Sequence, residues 1–162
     1  MIKMKFNSLM HVNIVADDWD AMVDFYENKL GLKKKVEVKY KEYLNRPDRP
    51  EQQKIAQTDP ERIMYAYFEI VPGQFIEMFP NTDLPHDVEW YKRTGLNHFS
   101  LTVDDLHKTF DEFKKTGIKI ISEPSKGPSE TWQFWAADPD GNRFEVQQFT
   151  EKSYQKIGHI DE

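Results

Sequence analysis

The chain has no cysteine among its 162 residues, and this absence excludes two kinds of structure. Disulfide bonds cannot form, and metal sites built on thiolates, such as zinc fingers, are excluded with them. Any bound metal must therefore be held by nitrogen and oxygen atoms. A chain of this length fits one domain and buries about 70% of its unfolded surface, so a full core needs no covalent cross-links.

Long apolar runs and clustered positive charge are also lacking. No segment approaches the ~20 apolar residues of a membrane span. Nor does the N-terminal sequence contain an apolar stretch of signal-peptide length, so we expect a cytoplasmic protein without a membrane partner. The net charge is −6. Phosphate backbones are bound by clustered Lys and Arg, so a nucleic-acid partner is not expected either.

An internal repeat is the most informative feature that is present. The segment HVNIVADD, which starts at His11, recurs as HFSLTVDD from His98. The segment GQFIE, which ends at Glu77, recurs as GNRFE ending at Glu145. The order His, Glu, His, Glu therefore describes a duplicated module. Two imidazoles and two carboxylates brought to one axis form a ligand set suited to a divalent transition metal.

Each copy of the module is predicted to fold as a βαβββ unit. In the first copy, the helix begins after Asp17 or Asp18 and ends at Gly31, and residues 45–61 form a long surface loop rich in Pro, Asp, Gln and Arg. In the second copy, the helix follows Asp104 or Asp105 and ends at Gly117. Alternating patterns predict strands over residues 9–15, 36–43, 64–70 and 74–79, then 97–103, 118–122, 131–137 and a last strand that carries Glu145.

These units give an α+β fold in a single domain of residues 6–150, with module one at 6–80, module two at 95–150 and a polar tail at 151–162. Strand alternation puts Glu77 on the same face as Phe75 and Phe79, and Glu145 on the same face as Arg143 and Gln147. If the two half-sheets pair edge to edge, they form one curved mixed sheet. Its concave side is then a metal-binding cup.

The ordered set of motifs resembles the vicinal oxygen chelate superfamily, which includes glyoxalase I, methylmalonyl-CoA epimerase, extradiol dioxygenases and fosfomycin-resistance transferases. The resemblance covers residues 11–148 and implies that His11, Glu77, His98 and Glu145 are metal ligands. It also implies a divalent ion, with Zn, Ni or Co favoured and Mn or Fe as alternatives. The motifs that carry it are His11 with Asp17-Asp18 and Phe25-Tyr26, Leu30-Gly31-Leu32, Phe75-Ile-Glu77, His98 with Val103-Asp104-Asp105-Leu106, and Asp138-Pro-Asp-Gly141 before Phe144-Glu145.

The fourth ligand, Glu77, distinguishes this set from the two-His, one-carboxylate sites that activate dioxygen. The resemblance therefore implies a glyoxalase-type isomerase or lyase, which moves a proton next to a carbonyl of a small oxygenated metabolite through an enediolate stabilised by the metal. Glu145 or Glu77 would act as the base, with Glu145 preferred. An epimerase, an extradiol-type dioxygenase and a non-catalytic binding protein are the alternatives.

The substrate is less well indicated. Glutathione-using relatives have an arginine four residues after the first ligand and an asparagine four residues after the second, whereas this chain has Val15 and Asn81, which argues against tight glutathione binding. We expect a small-molecule substrate and a homodimer, with the metal ligands drawn from one chain or from two. The predicted substrate contacts are Asn81, the cations Lys126 and Arg143, and the aromatic residues Trp132 and Phe134.

Several other polar residues are given structural roles. The four aspartates that precede the helices are interpreted as helix caps. The Asp138-Pro-Asp-Gly141 segment is interpreted as a turn, because it lacks the further oxygen ligands of a calcium loop. Surface positions are predicted for the remaining histidines, His86, His107 and His159.

Overall fold

The computed structural model describes residues 4–86 and 94–160, which form two compact units, Met1–Leu84 and Pro85–Glu162. Each unit has one mixed sheet with a helix on it, so the predicted α+β class is confirmed. The grouping of both modules into a single domain stays a prediction. Within the described part of the chain, no helix has the length and apolar character needed to cross a bilayer.

The first unit contains a four-stranded sheet in the order β1-β4-β3-β2. β1 runs parallel to β4, and the other neighbours are antiparallel. Its elements are β1 (His11–Ala16), α1 (Trp19–Val23), a π-helical segment (Asp24–Lys29), β2 (Lys33–Lys39), a 3₁₀ turn (Tyr40–Tyr43), α2 (Pro50–Thr58), β3 (Ile63–Val71) and β4 (Gln74–Pro80).

The second unit repeats this topology. Its sheet has the order β5-β9-β8-β6, with β7 also paired to β8 and with β5 parallel to β9. The βαβββ order predicted for both copies is therefore confirmed. Its elements are β5 (Phe99–Thr102), α3 (Leu106–Thr116), β6 (Lys119–Ile120), β7 (Ser125–Lys126), β8 (Trp132–Ala137), β9 (Arg143–Gln148) and α4 (Tyr154–Ile157).

Aspartate caps begin both long helical segments, as predicted. The Asp18 carboxylate accepts a hydrogen bond from the Ala21 amide at 3.1 Å, and the Asp105 carboxylate accepts one from the Lys108 amide at 3.0 Å. Each cap satisfies an amide that has no partner within the helix. At the end of α3, Gly117 has a φ of +70°, a left-handed conformation that glycine adopts without a Cβ penalty.

Alternation along the strands divides each sheet into a helix-facing side and an opposite side. The helix-facing side is apolar and buried, so each unit has its core between sheet and helix. The opposite side carries the repeated His and Glu residues. The buried core residues include Ile14, Ala66, Phe68, Ile76 and Met78 with Met22, Phe25 and Tyr26 in the first unit, and Phe134, Ala136, Phe144 and Val146 with Leu106, Phe110 and Phe113 in the second.

Two predictions about the first unit were wrong. Residues 45–61 do not form a loop throughout, because α2 occupies Pro50–Thr58 and buries Ala56. Pro50 starts this helix, where a missing amide hydrogen costs nothing. The second strand spans Lys33–Lys39 rather than residues 36–43. Its lysines are accommodated by ion pairs, as in the 2.7 Å contact of Lys35 with Glu69 on β3.

The C-terminal tail docks on its own unit. Ser153 is fully buried, and its hydroxyl accepts hydrogen bonds from the Thr131 hydroxyl at 2.9 Å and the Thr150 amide at 2.8 Å. His159, predicted as a surface residue, stacks on Tyr154 with the ring centroids 3.9 Å apart. The start of the tail is therefore held to the second unit by the hydrogen bonds of Ser153.

Replacing Ser153 with alanine is expected to lower the free energy of unfolding by about 1–3 kcal/mol, because buried hydrogen-bond partners lose their acceptor. Urea unfolding followed by circular dichroism measures the change. Ile157→Ala, at a position on α4 that is 63% exposed, is the control and should change stability by about 0.5 kcal/mol or less. Equal stabilities for Ser153→Ala and the wild type would mean that the tail is not held by this network.

Candidate metal centre

A histidine and a glutamate face each other in the first unit. His11 Nε2 lies 3.2 Å from Glu77 Oε2, on the side of the sheet that faces away from the helix. Asn13, two residues after His11 on the same strand, lies opposite Glu77 in the β1–β4 register and donates from Nδ2 to Glu77 Oε2 at 3.1 Å. The parallel pairing of β1 with β4 thus brings both polar side chains of β1 to one buried carboxylate.

Tyr67 holds Glu77 from the opposite side. It is the register partner of Glu77 on β3, and its hydroxyl donates a hydrogen bond to the carboxylate. Burial and this hydrogen bond raise the pKa of Tyr67 above its usual value, which keeps the hydroxyl protonated as a donor. The ring also packs edge-on against His11, with the centroids 5.8 Å apart. Glu77 on β4 is therefore held by three residues, His11 and Asn13 on β1 and Tyr67 on β3, the two strands that flank β4.

The second unit repeats the arrangement with other partners. His98 Nε2 lies 3.7 Å from Glu145 Oε2. Gln147 donates to the same carboxylate oxygen at 3.1 Å. Trp135 lies opposite Glu145 in the β8–β9 register, where the first unit has Tyr67, and its ring meets His98 edge-on at 4.6 Å. In both units an aromatic residue thus lies opposite the glutamate in the strand register and packs edge-on against the histidine.

The other ring nitrogen indicates how each histidine is oriented. His98 Nδ1 lies 2.8 Å from the Asn97 side-chain oxygen, and His11 Nδ1 lies 2.9 Å from Met10 Sδ. When His98 Nδ1 donates to this amide oxygen, Nε2 of the neutral ring is an acceptor. A lone pair then faces the Glu145 carboxylate. A cation placed between these two acceptors could bind both of them.

This donor set fits a divalent metal. One imidazole nitrogen and one carboxylate oxygen per unit are ligands that Zn, Ni and Co accept, and no thiolate is needed. Within residues 4–86 and 94–160, no group of three or more His, Asp or Glu side chains forms a complete metal site. Each unit by itself supplies a half-set of ligands, and the predicted quartet stays a prediction.

Comparison with known proteins identifies the family. A family model described as the Glyoxalase/Bleomycin resistance protein/Dioxygenase superfamily matches residues 8–146. The chain belongs to this superfamily. The match spans both copies of the module and includes all four of the repeated His and Glu residues.

Individual relatives of this glyoxalase superfamily are distant in sequence. The chain is 30% identical over 144 residues to an Arabidopsis thaliana protein described as a probable chloroplastic lactoylglutathione lyase, covering 85% of this chain and 35% of the plant protein. It therefore spans about a third of that relative's length. An uncharacterized Bacillus subtilis protein, YwkD, is 28% identical over 141 residues, with 85% and 93% of the two chains covered. A glyoxalase family protein from Enterococcus faecalis has the same fold, with a TM-score of 0.68, 22% identity, and coverage of 89% and 99%.

The predicted substrate contacts in the second unit of this superfamily member lie on different sides of its sheet. Arg143 lies two residues from Glu145 on the same strand and shares its face. Phe134 does not, because it pairs with Val146 on the helix-facing side, where it is fully buried between Phe110 and Phe113. The expectation that Phe134 lines the substrate site is therefore corrected.

Trp132 and Lys126 also lie away from Glu145. Trp132 has the same strand parity as Phe134, and its ring contacts His107 of α3 with the centroids 5.3 Å apart. Lys126 is the register partner of Trp132 and forms a 2.7 Å ion pair with Glu130. Both are predicted substrate contacts, and the register of β7 and β8 places them on the side of the sheet opposite Glu145.

Asn81 is a turn residue. Its Nδ2 donates to the Asp17 carboxylate at 2.9 Å and to the Leu84 carbonyl at 3.0 Å. Its side-chain oxygen accepts hydrogen bonds from the amides of Asp83 and Leu84. The amide group has no further hydrogen to donate, so its predicted role as a substrate ligand is replaced by a structural one.

Two residues that contact the His–Glu pairs, Asn13 and Tyr67, were not predicted from the sequence, and Trp135 was predicted only as one of four aromatic residues that could line the cup. Asn13 could have been found, because it lies two residues after His11 and so shares its face. The places of Tyr67 and Trp135 beside the glutamates could not be predicted, because they depend on which residue of the neighbouring strand each ring opposes. A shift of one residue in that register would turn either ring to the other side of the sheet.

Proposed function

We propose that this chain is a metal-dependent isomerase or lyase of the glyoxalase type, which moves a proton next to a carbonyl of a small oxygenated metabolite. The observation that carries the proposal is the same His–Glu pair in both units, 3.2 Å apart in one and 3.7 Å in the other, on the side of each sheet away from the core. The Arabidopsis relative described as a probable lactoylglutathione lyase supports this class of reaction.

The residues proposed to hold the metal are His11, Glu77, His98 and Glu145, supplied by one chain or by two chains of a homodimer. Zn, Ni and Co are the preferred ions, with Mn and Fe as further candidates. When bound, the ion would supply Lewis-acid polarisation of a substrate carbonyl.

The two glutamates are proposed to differ in role. Glu77 is buried and held by Asn13, Tyr67 and His11, so its carboxylate is fixed in position and suits a permanent ligand. The Glu145 carboxylate accepts a hydrogen bond from Gln147, and its distance to the paired histidine is longer. Glu145 is therefore the better candidate for the base, which takes a proton from the carbon next to the carbonyl and returns it to the neighbouring carbon.

Metal binding tests this proposal most directly. Purified protein is expected to contain a stoichiometric divalent ion, and His98→Ala should weaken its affinity by more than about 100-fold, since even the loss of an outer partner costs 10- to 100-fold. Elemental analysis and competition with a chelator measure both quantities. His107→Ala is the matched control, because His107 contacts Trp132 on the helix-facing side. Unchanged metal affinity in both His98→Ala and His11→Ala would rule the centre out.

A non-catalytic binding protein is the second candidate. It is favoured by the half-buried aromatic side chains that surround Glu77 in the first unit, which suit ligand binding without any chemistry. A protein that binds small carbonyl compounds equally well with and without metal, and that does not exchange their protons, would support this candidate. An epimerase would differ from the proposed enzyme only in returning the proton to the same carbon.

A further inference from the structure

Four aromatic side chains surround Glu77 on its side of the first sheet. Tyr67 packs edge-on against Tyr65 and Phe75, with centroids 5.5 Å apart in both cases. Tyr65 also contacts the Phe79 ring at 5.4 Å. All four are half-buried, so part of each ring is exposed. We name this surface the aromatic face, formed by Tyr65, Tyr67, Phe75 and Phe79.

Aliphatic side chains extend the aromatic face to both edges of the sheet. Val15 on β1 is the register partner of Phe79 and is 42% exposed. Val36 on β2 is the register partner of Tyr67 and is 38% exposed. The surface around the His11–Glu77 pair is thus apolar across all four strands. Ligand sites have this composition, with a few polar groups set in a mainly apolar and aromatic lining.

Two ionisable pairs lie beside the aromatic rings on this side of the sheet. Lys35 lies 2.7 Å from Glu69, and the same ammonium group lies 5.9 Å from the centre of the Phe75 ring. His11 faces Glu77 at 3.2 Å. A charged ligand would have to compete with these pairs, whereas a neutral ligand would not. The face therefore favours a ligand whose only polar part is the group held at the His–Glu pair.

On the basis of the function proposed above, we propose that the substrate is a neutral compound with an aryl or similar planar apolar group next to its carbonyl and neighbouring oxygen. The planar group packs on the aromatic face, and Tyr65 and Phe79 determine the specificity. These two residues border Tyr67 without belonging to the His–Glu pair. Ring packing is directional, because aromatic rings prefer edge-to-face and offset arrangements, so a planar group gains more here than an alkyl chain of equal area.

A matched pair of probes tests the proposal. α-Hydroxyacetophenone and hydroxyacetone carry the same hydroxyketone and differ only in a phenyl or a methyl group. Isothermal titration of the metal-loaded protein is expected to show that the phenyl compound binds about tenfold tighter or more, from the extra apolar area that it buries. Tyr65→Ala and Phe79→Ala should each reduce this ratio at least threefold, mainly by weakening the binding of the phenyl compound. Tyr65→Phe should keep the ratio, since the ring remains.

Ile157→Ala, which removes an exposed apolar side chain of α4, should leave both affinities at the wild-type value. Far-UV circular dichroism establishes that each variant is folded. Two aromatic positions are tested, so that the experiment still gives a result if one of the two variants does not fold. Equal binding of the two probes to a protein that holds its metal would overturn the substrate class and leave the proposed function standing. A retained phenyl preference in a protein that binds no metal would support the aromatic face and overturn the metal-dependent function.

Discussion

Glu145→Gln is expected to lower the rate of proton exchange by about 10²- to 10⁴-fold while the metal stays bound. Glutamine has the shape of glutamate and keeps an oxygen that can accept the hydrogen bond from Gln147, but it cannot take up the substrate proton. The rate is measured by NMR as the replacement of the C–H hydrogen next to the carbonyl of α-hydroxyacetophenone in D₂O. Elemental analysis of the same sample reports the metal content.

Glu77→Gln is the matched control and should show a different pattern. Its carboxylate is held in place by Tyr67, Asn13 and His11, which suits a permanent metal ligand. Loss of its charge should therefore weaken metal affinity. Once the protein is loaded with metal, proton exchange should be slowed less than in Glu145→Gln. If Glu77→Gln abolishes exchange with its metal retained and Glu145→Gln does not, the two roles are reversed. Wild-type exchange in both variants would reject a carboxylate base at either position.

The repeat in the sequence was enough to predict the fold class and the order of elements in each unit. The same strand alternation correctly placed Glu77 with Phe75 and Phe79. Helix α2 was missed because residues 45–61 are mostly polar and show no hydrophobic stripe. The helix is stabilised instead by the packing of Ala56, which is buried. Pro50 followed by Glu51 was the signal that could have revealed its start. Lys35 was not predicted to lie in a strand because its acidic partner, Glu69 on β3, is more than thirty residues away in the sequence.

Sequence alone predicted the His and Glu residues of the candidate centre and their neighbours on the same strand, but not which residues the adjacent strands bring to them. The reason is register. Three aromatic residues lie within four positions of one another, namely Trp132, Phe134 and Trp135. Composition alone does not show which of them faces a ligand site. Only the pairing of Trp135 with Glu145 shows which ring faces the site, since alternate residues of a strand point to opposite sides. Each unit contains only one His and one Glu of the proposed four metal ligands. The complete set of four therefore stays a prediction, which the metal-binding experiment tests.

Phe134→Ala is expected to lower the free energy of unfolding by about 3–5 kcal/mol, because it removes a buried ring from the core of the second unit. Phe134 is fully buried, and its ring packs against Phe110 at 5.2 Å and Phe113 at 5.3 Å. Urea unfolding measures the loss. Phe134→Leu, which keeps most of the volume, should cost about 1.5 kcal/mol or less.

The neighbouring aromatic residue separates a core role from a site role. Trp135 is half-buried on the other side of the same strand, edge-on to His98 and opposite Glu145. Trp135→Ala should therefore cost less stability than Phe134→Ala and should reduce proton exchange more than Phe134→Leu does. If Phe134→Ala instead preserved stability and selectively lost binding of α-hydroxyacetophenone, Phe134 would have to face the ligand. Such a result would require a one-residue shift of β8 against β9, which would also move Trp135 away from Glu145 and bury its indole in the core.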